Sequence, residues 1–291
     1  MAWRRKASCT KALQPSVDEK TQAGALRARI RVHGKRQFGL AGSRAPGASS
    51  NASSAISVKP RSASSAAITP LADTYRVIRP DLPGFGQSRV PADLDYDWGP
   101  VGLAADVRRL VEALGIRRFH LTGAKYGGSV AIEYAAGNSQ HIKSLTVIGG
   151  PVQVENQQSQ VDVKGISARI AAGGMLRWAE DSMDARLGSK VPAAQRRWWV
   201  EMMASADARA TCESADAAAR LDLLGRLKEV SAPVLLITTR GNRLLPLANF
   251  ERWTAAVPGA KLLVLDGDAY HPAALHAAEC VAALKAHIRA A

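Results

Sequence analysis

The sequence predicts an α/β domain, a mostly parallel sheet flanked by helices, and three observations carry that prediction. Short apolar runs recur through residues 69–291, each bounded by Gly, Pro or Asp. Amphipathic helical stretches lie between several of them, supplying the crossovers that parallel strands require. Several runs, such as Val234–Ile237 and Leu262–Leu265, are continuously apolar, which suits strands covered on both faces.

The elements follow in order. Tyr75-Arg76-Val77-Ile78 is the first of these runs and ends at Arg79-Pro80-Asp81. Leu103, Val107, Leu110, Val111 and Leu114 share one helix face, and Gly115 supplies the stop. Phe119-His120-Leu121-Thr122 is a second strand, followed by a helix through Val130–Ala135. Leu145–Ile148 precedes Gly149-Gly150, Val234–Ile237 follows Pro233, and Leu262–Leu265 precedes Asp266-Gly267. Residues 152–228 break the alternation and are helical in composition, with Met175, Trp178, Trp198, Trp199 and Met202 as large apolar groups. They read as an inserted helical cap over the C-terminal edge of the sheet, where open α/β sheets bind ligands. The tryptophans are expected to pack the cap onto the core.

Charge and cysteine usage exclude several function classes. The chain of 291 residues carries 39 Lys/Arg and 25 Asp/Glu. Residues 1–68 hold 13 of the basic residues against only Asp18 and Glu19, so residues 69–291 hold 26 against 23. The body is thus nearly neutral and has no basic run interleaved with aromatics, which argues against a nucleic-acid partner. No apolar stretch approaches the ~18 residues of a membrane span. Cys9, Cys212 and Cys280 lack any metal-ligand or CxxC spacing. They imply free thiols in a reducing, cytoplasmic setting, with no structural metal. From Ala41 to Ala67 the sequence is mostly Ser and Ala with scattered basic residues, too poor in large apolar groups to offset its ordering entropy. Residues 1–68 are therefore expected to be disordered, with one outer strand near 26–34. Residues 69–151 and 229–291 form the core.

The turn Gly123-Ala124-Lys125-Tyr126-Gly127-Gly128 follows a strand and opens a helix. Small residues on both sides let the chain turn sharply and lift the central side chain above the sheet, the geometry of a nucleophile elbow. Here the sequence resembles the α/β-hydrolase superfamily. Arg79–Ser88 is similar to that family's Gly-rich loop after a central strand. Ile142–Pro151 resembles its next strand, Ala232–Thr238 the strand before the acid loop, and Leu262–His271 the last strand with its histidine loop. The resemblance spans about residues 69–291 and is nearest to capped esterase-like and carbon–carbon hydrolase-like members.

The departures are informative. Lys125 stands at the nucleophile position, Asn242 at the acid position, and Tyr270 where a strict alignment wants histidine. His271 fits if the loop is one residue longer. The oxyanion loop and the interior strand before it belong in residues 35–68, where the low-complexity basic stretch stands instead. Two compensating frameshifts or a misassigned exon would produce that, as would a genuine insertion. The Arg- and Ser-rich start would also suit a transit peptide, except that residues 26–34 already resemble domain.

The resemblance implies a protein derived from a cofactor-independent hydrolase of small carbonyl compounds, with no metal, membrane or nucleic-acid partner. Its catalytic candidates are Lys125, His271 and Asn242, with the Tyr126 N–H as oxyanion donor. A lysine has a reference pKa of about 10.4 and is a cation unless buried or beside another cation. Neutral, Lys125 would attack a ketone as a Schiff-base amine; charged, it would polarise an oxygen while His271 acts as base. The alternative is a non-catalytic binding protein, a pseudoenzyme, or the inactive product of a frame-damaged gene. Asp81 is expected to fix its loop, His120 and His141 to be structural, and Asp266 or Asp268 to orient His271 or cap the helix after it. Glu155 is expected to be solvated.

Overall fold

The computed structural model describes residues 31–33, 54–58, 69–154 and 165–291. These residues build a seven-stranded sheet from strands β1 (Arg31–His33), β2 (Ser54–Val58), β3 (Arg76–Arg79), β4 (Phe119–Ala124), β5 (Ile142–Ile148), β6 (Val234–Thr239) and β7 (Lys261–Leu265). Their order is β1-β3-β2-β4-β5-β6-β7. Every neighbouring pair is parallel except β1 with β3, which makes β1 an antiparallel outer strand.

Both faces of the sheet are covered, as the consecutive apolar runs require. In β6, Val234 and Leu236 join the main core while Leu235 and Ile237 join the cluster on the opposite face with Ala124, Ile148 and Cys280. The main core adds Phe119, Leu121, Leu145, Val147, Phe250 and Trp253. Helix α1 (Pro100–Ala113) buries Leu103, Val107 and Val111, and Gly115, at φ 64°, closes it by donating to Glu112. The C-terminal helix Ala277–Ala290 packs Val281, Leu284 and Ile288 on Val77 and Leu71.

One expectation needs correction. The interior strand missing from the low-complexity stretch is present as Ser54–Val58, which pairs in parallel with β3 on one side and β4 on the other. Its local composition conceals it because two flanking strands supply its hydrogen-bond ladders. Apart from Arg31–His33 and Ser54–Val58, residues 1–68 lie outside the described residues, as does Glu155.

Between β5 and β6 stand helices Ile166–Leu187, Ala193–Ala204, Ala208–Ala218 and Leu224–Lys228. The first is kinked at Gly174, whose φ of 75° no helix accommodates. This insertion is fastened to the core where the strands end. Asp207 N donates to Gly84 O, Gln195 Nε2 to Ala274 O, and the Ser189 N–H to the Asp268 carboxylate. A side chain at Gly84 would meet Ala210 Cβ at 2.1 Å, so the Gly-rich loop can lie against the insertion only as glycine. Asp81 holds that loop through the Gln87 N–H, as expected.

Two predictions follow from buried groups. His120 bonds Ser144 Oγ at 2.8 Å, and burial, reinforced by Lys143 and His287, holds its imidazole down at about 4. The fold therefore favours the neutral ring. That contribution is complete above pH 6.5 and is lost as the pH falls toward 4. The melting temperature should decline over that window, and His120→Asn should flatten the decline. A Cβ at Gly123 would lie 2.2 Å from Gly127 O, so Gly123→Ala should lower unfolding free energy by about 1–3 kcal/mol.

Candidate active site

Strand β4 ends at Ala124 and helix α2 (Tyr126–Gly137) begins two residues on, leaving Lys125 alone at the corner. Its φ of 56° is the one positive value at a non-glycine position among the described residues. Such a conformation costs on the order of 1–3 kcal/mol and persists where surrounding contacts fix it. Here Lys125 N donates to Ile148 O, Gly128 N donates to Lys125 O, and the absence of side chains at Gly123 and Gly128 lets the helix close on the strand.

The Lys125 side chain is buried, and its amine is held at a junction. Nζ donates to Gly149 O and, at 2.8 Å, to Tyr270 O, and it lies over the Tyr270 ring. Gly149 follows β5 and Tyr270 follows β7, so one amine ties together the loops after β4, β5 and β7. Gly149, at φ 59°, presents its carbonyl at close range; a Cβ there would stand 2.9 Å from Pro272. Cation–π attraction adds to the two charge-assisted hydrogen bonds.

Tyr270, and not His271, therefore presents its ring to the residue at the corner. Burial pushes the Tyr270 phenol up to about 12, with Arg186 pulling the other way. It is a neutral phenol at physiological pH. His271 is also buried, with its ring edge-on to Trp199 at 4.8 Å and to Tyr270 at 5.2 Å. Its backbone N–H donates to Arg186 O, so the loop is pinned to the insertion.

Asn242 is turned into its own loop. Its Oδ1 accepts from the Leu244 and Leu245 N–H groups at 3.2 and 3.0 Å, and its Nδ2 reaches Thr238 Oγ1 at 3.5 Å. The loop still runs beside that of Tyr270, because Gly241 N bonds Gly267 O and Thr239 Oγ1 bonds Ala269 O. Neither acid expected beside His271 serves it. Asp268 receives the Ser189 N–H, and Asp266 is exposed beside Arg240. Tyr126 heads its helix, so its N–H is among the first-turn donors without an intrahelical acceptor. Its hydroxyl donates to Trp98 O, and Trp98 stacks edge-on against Tyr96, which donates to Asp106.

Three features escaped the sequence. Tyr270 was visible only as an alignment mismatch, Trp199 as a packing residue, and Arg186 by no signal. Among the described residues no group of three His, Cys, Asp or Glu could hold a metal ion, and no helix is long and apolar enough to cross a membrane.

Comparison with known proteins agrees with this architecture. The model of the alpha/beta hydrolase fold family matches residues 55–278. The chain is 26% identical over 220 residues to a pimeloyl-[acyl-carrier protein] methyl ester esterase from Aeromonas hydrophila, covering 71% of this chain and 82% of the other. It is 25% identical over 190 residues to 3-oxoadipate enol-lactonase 1 from Acinetobacter baylyi, covering 63% and 68%. Among solved structures, the enol-lactonase from Burkholderia xenovorans LB400 superposes with a TM-score of 0.76 at 17% identity, over 90% of this chain and 96% of that one. With the match beginning inside β2 and running into the last helix, the chain belongs to the alpha/beta hydrolase fold family.

Proposed function

We propose that this protein binds a small carbonyl compound without hydrolysing it, having descended from a cofactor-independent hydrolase. In this reading the β4–α2 corner is a nucleophile elbow and the insertion a helical cap. The carrying observation is the buried Lys125 amine, which donates hydrogen bonds to the carbonyls of Gly149 and Tyr270. A Schiff-base amine must be neutral and directed at substrate, whereas this one is buried and tied to backbone. Acyl transfer needs a base near neutral pH beside the nucleophile, oriented by a third group. The ring facing Lys125 is a phenol held near 12, and the acid position carries uncharged Asn242. The Tyr126 N–H remains as a donor for a ligand oxygen.

A second reading keeps catalysis, with His271 as base and Lys125 as the cation that polarises an oxygen. It is favoured by one observation: His271 directly follows the carbonyl that Lys125 holds.

Purified protein should release no nitrophenol from p-nitrophenyl acetate above a Lys125→Ala control. Borohydride treatment in the presence of a ketone should leave Lys125 without an adduct in peptide mass spectra. A trapped adduct at Lys125 that disappears in Lys125→Ala would contradict the binding reading. So would turnover that His271→Ala abolishes. Lys125→Met should lower unfolding free energy by about 1–3 kcal/mol, because two buried carbonyls lose their donor.

A further inference from the structure

The helix Ile166–Leu187 places a second cation above the same junction. Arg186 donates from Nε to Ser182 Oγ, and its guanidinium stacks over the Trp178 ring at 5.2 Å. Its own carbonyl takes the His271 N–H, so the residue is anchored beside the Tyr270 loop.

Among the described residues no carboxylate pairs with Arg186. The acids near it in sequence and space are otherwise engaged: Asp181 with Arg177, Asp184 with Arg196, and Asp268 with the Ser189 N–H. Burial lowers the Arg186 pKa; Tyr270 opposes that shift and the neighbouring Arg169 adds to it. Arg186 is half-buried, and a partly desolvated guanidinium without a carboxylate partner favours pairing with an arriving anion. An independent observation points to the same place. The Trp178 indole is buried, and its Nε1–H has no acceptor, although the ring lies directly under the guanidinium. Two donor groups are thus gathered where, among the described residues, Ser182 Oγ accepts from the guanidinium and the indole N–H has no acceptor.

We propose that Arg186, with the Trp178 Nε1–H, binds the carboxylate of a small oxo-acid whose carbonyl end faces the Lys125–Tyr270 junction. The planar guanidinium has four N–H groups besides the one on Ser182 and matches a carboxylate in two-point fashion. The proposal rests on the reading of this protein as a binder of small carbonyl compounds and adds the charge of the ligand.

The test compares laevulinate with its neutral methyl ester by calorimetric titration of the full chain. The acid should bind roughly ten- to hundredfold more tightly than the ester, the range expected for hydrogen bonds to a charged group. Arg186→Gln should erase the difference, Arg186→Lys should keep part of it, and added chloride should weaken the acid alone. An Arg240→Gln control, altered at an exposed surface pair, should behave as wild type. Equal binding of acid and ester would overturn the carboxylate subsite while leaving the binding reading intact. A folded Arg186→Gln variant that keeps the preference would overturn it too, as would failure of the acid to bind. If Arg186→Gln does not fold, full acid preference in Arg186→Lys together with indifference to chloride has the same consequence. Hydrolysis of the ester would instead refute the binding reading, independently of the charge preference.

Discussion

The arrangement depends on one buried amine. The Lys125 Nζ joins the loops that follow three different strands, and its position is possible because the chain turns at a strained corner. The corner costs on the order of 1–3 kcal/mol. Two charge-assisted hydrogen bonds and a cation–π contact are of comparable size. The strained corner thus serves to place the lysine amine, at the end of its four-carbon side chain, between two backbone carbonyls.

The surroundings are consistent with that use. Gly123 and Gly128 let the helix close on the strand, and Gly149 offers its carbonyl at a distance no side chain would permit. Tyr270 gives Lys125 both its carbonyl and its ring, which explains why a phenol can stand where an imidazole is expected. A neutral aromatic face accommodates an ammonium, whereas a protonated imidazole would repel it. Asn242 needs no charge in this scheme, since no imidazolium forms beside it, and its side chain closes its own turn. Cations and donors predominate around the junction, and the helical insertion adds Arg186 to them. A site so arranged is suited to holding an electron-rich ligand.

Much of the fold was legible because burial on both faces of a parallel sheet leaves continuous apolar runs. β4, β5, β6 and β7 were located to within a few residues on that basis alone. Ser54–Val58 was not, because its Ser-Ala-Ile-Ser-Val sequence holds only two large apolar residues inside a Ser/Ala-rich stretch. Its identity comes from β3 and β4 on either side. At the site, the glycines around Lys125 marked the corner, but nothing local could tell where a flexible four-carbon side chain would point. The choice between Tyr270 and His271 had the same origin. A one-residue difference in loop length decides which ring faces the corner, and it is set by the His271 N–H bond to Arg186, 85 positions away. Arg186 itself carried no signal, since a lone arginine near a helix end usually lies in solvent.

The central claim is that the Lys125 amine is buried and tethered to backbone and so is not available to react. Reductive methylation of the folded protein with formaldehyde and cyanoborohydride, read by peptide mass spectrometry, tests this most directly. Lys190, Lys228 and Lys261 are exposed and should become dimethylated. Lys125 should stay unmodified until the protein is unfolded. Modification of Lys125 in the native protein at the rate of those surface lysines would contradict the account.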